Sequence, residues 1–171
     1  MKRIKIGTML FATLFLVAGR STQQSGNTEK TRTERTENET ENTIFPKGEK
    51  APAETFTGTV YVQILAPKTE NNNFSVASVT FEPGARANWH IHPAGQTLLV
   101  TKGKGLYQEK GKAIRPLNKG DVILCDPDIA HWHGASPENG MTHVVITNYK
   151  GDSQVNWLQP VTDEEYRAAI K

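Results

Sequence analysis

The 171-residue chain is poor in several things at once. It has one cysteine, Cys125, so no intrachain disulfide can brace it and the core must hold by packing alone. It lacks a strong charge of either sign: 20 basic residues face 18 acidic ones, a formal net charge of +2. Without the first nineteen residues, which hold Lys2, Arg3 and Lys5 and no acid, 17 basic residues face 18 acidic ones and the charge is −1. Neither balance gives the basic footprint of a protein that binds nucleic acid. The one long apolar run, Met9 to Ala18, is too short to cross a bilayer as a stable helix. From Arg20 to Thr43 no apolar residue occurs at all, and such a segment cannot bury enough surface to offset its ordering entropy.

These absences divide the chain. Residues 1–19 combine a basic start, a short apolar stretch and small residues at Val17-Ala18-Gly19, the pattern of a secretory signal peptide. Leu16-Val17-Ala18-Gly19 resembles the front of a lipoprotein signal, but Arg20 stands where an acylated cysteine would be, so no stable membrane anchor is expected. Residues 20–44 read as a disordered polar linker, and residues 45–171 as the folded domain. The chain is expected to be exported, to the periplasm.

The folded part reads as all-β. Short runs rich in β-branched and aromatic residues follow one another between turn signals. Strands are expected at Phe56–Leu65, Phe74–Phe81, Gln96–Thr101, Gly105–Glu109, Ala113–Leu117, Asp121–Cys125, Ala130–Ala135 and Thr142–Thr147, with Gly103, Gly111, Asn118 and Gly120 as turn residues. Many short strands at close spacing point to a sandwich or a closed barrel. One short helix is expected at the C-terminus. Thr162-Asp163-Glu164-Glu165 has the form of a capping box, and Tyr166 and Ile170, four apart, would clip the helix to the barrel.

Chemistry concentrates in histidine. Four of the five histidines form two His-x-His pairs, His90-Ile91-His92 and His131-Trp132-His133. Alternate residues of a strand share a face, so each pair aims two imidazoles in one direction, as chelation of one metal requires. A lone pair of this kind is as often merely solvated or hydrogen-bonded; here the surroundings decide. Gly84, His90-x-His92, Gln96 and Gly103 have the spacing of the first motif of the cupin superfamily. Gly120-Asp121 leading through Pro127 to His131 has that of the second, except that Asp128 replaces the usual glycine, which calls for positive φ at an aspartate.

The chain therefore resembles the cupins. Phe81-Glu82-Pro83-Gly84-Ala85-Arg86, His131-Trp132-His133-Gly134-Ala135 and Met141-Thr142-His143 look like the small bacterial cupin type-2 proteins that include the manganese-dependent hydroxynitrile lyases. The resemblance implies a cupin jelly-roll β-barrel and one divalent metal ion held by His90, His92, Gln96 and His131. Manganese is preferred, and Fe, Ni, Co or Zn also suits the donors. Most cupins carry Glu where this chain has Gln96, so the site would keep a formal +2 charge. The ion would then polarise a bound hydroxyl more strongly but be held less tightly.

The implied activity is that of a lyase on a small oxygenated organic substrate, with carbon–carbon cleavage from a metal-bound alkoxide and a histidine acid/base. His133 and His143 are the candidates for that proton transfer, or else hydrogen-bonding partners that orient the site. Ala77 and Val79 line the substrate pocket in the same resemblance, or belong to ordinary barrel core. The alternatives are a metal-dependent dioxygenase or an isomerase- or decarboxylase-type cupin, and a non-enzymatic periplasmic module for a small ligand or metal. Trp89 and Trp132 point away from the adjacent histidines, as packing residues or dimer contacts. Glu82 and Arg86 read as surface or loop charges, and Cys125 as a buried strand thiol. A homodimer or homotetramer is expected, since pairing shields strand edges.

Overall fold

A computed structural model describes residues 44–168. The expected signal peptide, all of the expected linker except Ile44, and Ile170 lie outside the described residues. Ile44 is exposed.

Twelve strands and one short helix are present among the described residues: β1 (Glu49–Lys50), β2 (Phe56–Thr57), β3 (Val60–Ala66), β4 (Phe74–Phe81), β5 (Arg86–Ala87), β6 (His90–Ile91), β7 (Gln96–Glu109), β8 (Arg115–Asn118), β9 (Val122–Cys125), β10 (His131–Ala135), β11 (Met141–Asn148), β12 (Asn156–Trp157) and α1 (Asp163–Arg167). The named strand pairs are antiparallel. One face of the jelly roll runs β1-β3-β4-β11-β7-β9, and the other β2-β5-β10-β7, with β8 on β7, β6 on β10 and β12 on β6.

β7 belongs to both faces, which corrects the expectation of two separate strands there. Gly103 adopts φ 77°, a conformation that glycine reaches without steric cost. A Cβ at that position would collide with the carbonyl oxygen of Gly140. Opposite, the register with β11 slips between Thr142 and His143. A bulge of this kind bends a strand instead of ending it, so the first half of β7 pairs with β11 and the second half with β10. Gly58, at φ 83°, does the reverse: it breaks the single strand expected over Phe56–Leu65 into β2 and β3. Asp128 takes φ 62°, as its place in the second motif requires.

The core has two parts. Val60, Phe81, Leu98, Val100, Leu117, Ile123 and Met141 pack between the faces, with Cys125 buried among them. Trp89, Leu106, Trp132, Val161 and Tyr166 form a second cluster under α1. The two tryptophans are thus packing residues inside the subunit. Thr162 caps α1 through both halves of the capping box, its hydroxyl accepting from the Glu165 N–H while the Glu165 carboxylate accepts from the Thr162 N–H. The Tyr166 hydroxyl donates to the carbonyl of Ala135 at 2.7 Å.

Arg86 is a correction. It is buried, not a surface charge. Its Nε and Nη2 donate to the Val161 carbonyl at 3.2 and 3.1 Å, Nη2 also reaches Asp163 at 2.6 Å, and the guanidinium lies 4.6 Å from the Tyr166 ring centre. The partners that make burial of this charge affordable stand more than seventy residues downstream, beyond any local pattern. Glu82 lies in a surface loop, half-buried, and pairs with Lys47.

Replacing Arg86 by Met should leave the Val161 carbonyl without its donors and α1 without its latch. A loss of about 2 kcal/mol in unfolding free energy is expected from urea denaturation. Asp163→Asn should cost much less, because that carboxylate is largely exposed.

Candidate metal centre

Two strands bring the two His-x-His pairs together, and a third adds Gln96. His90 opens β6 and His131 opens β10, and the two are direct cross-strand partners. His92 follows β6. Gln96 opens β7, where its neighbours across the ladders are Thr147 on β11 and Cys125 on β9. One ring nitrogen from each of His90, His92 and His131 lies within 4.8 Å of those of the other two. The ring centres are 4.3 to 5.5 Å apart.

Each of these imidazoles is locked by a main-chain carbonyl. His90 Nδ1 donates to Asn88 O at 2.8 Å, His92 Nδ1 to Gln154 O at 2.5 Å, and His131 Nδ1 to Ile129 O at 3.0 Å. With the proton on Nδ1, Nε2 keeps its lone pair, the form in which imidazole binds a metal. Gln96 is oriented in the same sense. Its amide nitrogen donates to Thr147 Oγ1 at 2.9 Å, which turns Oε1 the other way. His92 Nε2, His131 Nε2 and Gln96 Oε1 are then buried with no protein partner. A buried polar atom left unpaired costs about 1–3 kcal/mol, and bared acceptors beside three converging imidazoles fit a cation. Imidazole nitrogens with an amide oxygen suit a first-row divalent ion.

The imidazoles are also held uncharged. Burial lowers the pKa of His90 well below its usual range, with His131 and His92 adding to the effect. Burial lowers that of His92 to about 4 and depresses that of His131. No proton has to be displaced from Nε2 at neutral pH.

His133 shares a face of β10 with His131, their rings stacked at 26° with centres 6.2 Å apart. It lines the cavity described below, and its Nδ1 meets His143 Nε2 at 3.2 Å. His143, fully buried on β11, lies behind His133 and is not among the residues that line the cavity. The Phe81 ring packs against both imidazoles. Burial, followed by the neighbouring histidines, pushes the pKa of His133 far down, and burial pushes that of His143 to about 3. One hydrogen bond joins the two rings, so one tautomer of the pair leaves His133 Nε2 as a base and the other makes it a donor.

The cavity measures about 450 Å³. Its floor carries His90, His92, Gln96, His133 and Thr147, while Val62, Ala77, Val79 and Val145 form apolar walls and Phe56, Ile64 and Trp157 also contribute. Ala77 and Val79 therefore face this space; they are the cross-strand partners of Val145 and His143. Three contributors escaped the sequence reading. Thr147 reads in the sequence only as the last residue of an expected strand, with nothing to mark it as the partner of Gln96. Gln154 acts through its carbonyl, which leaves no side-chain signal. Trp157 sits on a two-residue strand in a segment without alternation.

The chain is similar to known proteins in sequence and in fold. The profile of the Cupin domain family matches residues 77–147. The chain is 48% identical over 118 residues to a protein of Granulicella tundricola named (R)-mandelonitrile lyase, covering 69% of this chain and 90% of that one. A cupin-like protein of Thermotoga maritima has a solved structure with a TM-score of 0.71 at 48% identity, covering 75% of this chain and 97% of that one. A cupin-2 domain protein of Rhodospirillum rubrum, 16% identical with a TM-score of 0.53 over 71% of this chain and 77% of that one, shares the fold.

Protein purified without added metal should carry close to one equivalent of a divalent first-row ion by elemental mass spectrometry. His131→Ala should fall to roughly a tenth of that or less. Gln96→Glu should keep the ion and slow its removal by chelator, because a carboxylate adds charge attraction that an amide lacks.

Proposed function

The chain belongs to the cupin family, and on that premise we propose that it is a divalent-metal-dependent lyase that cleaves a small hydroxynitrile into an aldehyde and hydrogen cyanide. The observation that carries this reading is the convergence of His90, His92 and His131 with bared acceptors on His92, His131 and Gln96, beside a cavity that His90, His92, Gln96 and the non-ligand His133 line together with Val62, Ala77, Val79 and Val145. The relative named (R)-mandelonitrile lyase supports the same choice of reaction.

His90, His92, Gln96 and His131 would hold the ion, with manganese the preferred occupant. When bound, such an ion supplies Lewis-acid stabilisation of negative charge on a substrate oxygen. His133 supplies the proton chemistry. With Nδ1–H donating to His143, its Nε2 takes the proton of the substrate hydroxyl as the carbon–nitrile bond breaks. The electron pair leaves with cyanide, the carbonyl forms, and the proton passes from His133 to the departing cyanide. His143 positions His133 and sets its tautomer without touching the substrate. Ala77, Val79 and Val145 keep water from the reacting carbon, and their small volume leaves room for the organic group of the substrate.

Manganese-loaded protein should release benzaldehyde from mandelonitrile. His133→Ala should slow that release by roughly 10²- to 10⁴-fold while keeping its metal. A rate equal to that of metal-free His131→Ala protein would remove the lyase reading. Reloading the metal-free protein with Mn, Fe, Co, Ni and Zn in turn tests the choice of manganese.

A further inference from the structure

Trp157 is placed unlike the other two tryptophans. Trp89 and Trp132 are packed into the cluster under α1, whereas Trp157 keeps 40% of its surface exposed and lines the cavity. Loop aromatics that wave in solvent are held loosely; this one is not. Its backbone pairs with His90 in the β12–β6 ladder, the Leu158 N–H donates to Trp89 O at 2.8 Å, and the Trp89 N–H donates to Gln159 O at 3.1 Å. The indole is buttressed by Phe56, edge-on at 5.6 Å and 67°, and by the His90 ring, tilted at 47° with centres 5.0 Å apart. Phe56 is in turn braced against Phe81 at 6.0 Å. The result is a rigid aromatic surface that directly adjoins a candidate metal ligand.

We propose that Trp157, backed by Phe56, is the residue that selects aryl over alkyl substrates, by stacking on the substrate ring while the hydroxyl end reaches the histidine floor. This rests on the lyase reading for the reaction but not for the binding. A flat, immobile indole gains contact area with an aromatic ring at little entropic cost, and offset or edge-on ring pairs add attraction beyond the area they bury. An alkyl group of similar reach collects only part of that gain. The competing role for Trp157 is to cover His90, which would make it a positioning residue for the metal and indifferent to the substrate's organic group.

Two readouts separate these roles and keep the proposal independent of the lyase activity. In the first, kcat/KM is measured for mandelonitrile and for lactonitrile. Trp157→Ala should lose about tenfold or more on mandelonitrile and less than about twofold on lactonitrile, with its metal content unchanged, and Trp157→Phe should retain most of the aryl preference. Equal losses on both substrates, or loss of the metal from both variants, would overturn the proposal. In the second, the tryptophan emission of metal-loaded protein is followed during titration with benzyl alcohol and with 1-propanol. Trp157 alone is positioned to respond, so a saturable blue shift is expected with benzyl alcohol, weaker or absent with 1-propanol, and missing in Trp157→Phe. A shift without cyanide release would leave the aryl surface standing and remove the lyase reading. Cyanide release with no shift and no aryl preference would do the opposite.

Discussion

The candidate site depends on three short hydrogen bonds that face away from it. His90, His92 and His131 each spend Nδ1–H on a backbone carbonyl, from Asn88, Gln154 and Ile129. Without those acceptors each buried ring would be free to flip or change tautomer, and Nε2 would not be held bare. Two of the acceptors lie two residues before the histidine they hold, so the chain entering β6 and β10 orients its own side chains. The third comes from the segment before β12, more than sixty residues along. Closing the barrel with that segment is therefore part of building the donor set.

The same closure decides where polar and apolar surface fall. Because β7 bends at Gly103 instead of ending there, one strand supplies Gln96 at its start and pairs with the histidine strand β10 in its second half. β11 lies against the first half and sets Thr147 beside Gln96, with Val145 and His143 spaced two and four residues before it on the same face. Thr147 fixes the amide, Val145 faces Ala77 across the ladder, and His143 reaches His133. Period-two alternation thus delivers an orienting hydroxyl, an apolar wall residue and a second histidine from one strand.

How much of this was legible follows from the range of each constraint. The His-x-His pairs, the strand start at Gln96, the extent of β4 and the cap at Thr162 are local patterns, and the structure has them where the spacing placed them. Asp128 was legible because a turn at that point needs positive φ whatever residue occupies it. Arg86 was not, since a charge is buried only if distant acceptors meet it, and the Val161 carbonyl carries no side-chain signature. Gly103 and Gly58 look alike in sequence, both glycines within strand-like runs, yet one bends a strand and the other divides it. The difference lies in what each flanking half pairs with. Trp157 was missed for a related reason: β12 is a strand only because β6 is there to receive it.

Gln96 joins the electrostatics of the floor to the packing around it. Burial keeps the imidazoles of His90, His92, His131, His133 and His143 neutral, and at His131 it outweighs the opposing pull of the Glu109 carboxylate across the ladder. With glutamate in place of Gln96 the floor would carry a negative charge that raises the pKa of its histidine neighbours, and Thr147 would have to donate to a carboxylate where it now accepts from an amide. The amide instead adds no charge, and the bared atoms of His92, His131 and Gln96 all accept. These atoms offer nothing to an anion until a cation enters, and a divalent cation would keep its full charge, unreduced by them. In low-dielectric surroundings that contrast is worth more than in water. Binding of an oxygen that becomes negative during reaction is thereby tied to prior binding of the ion.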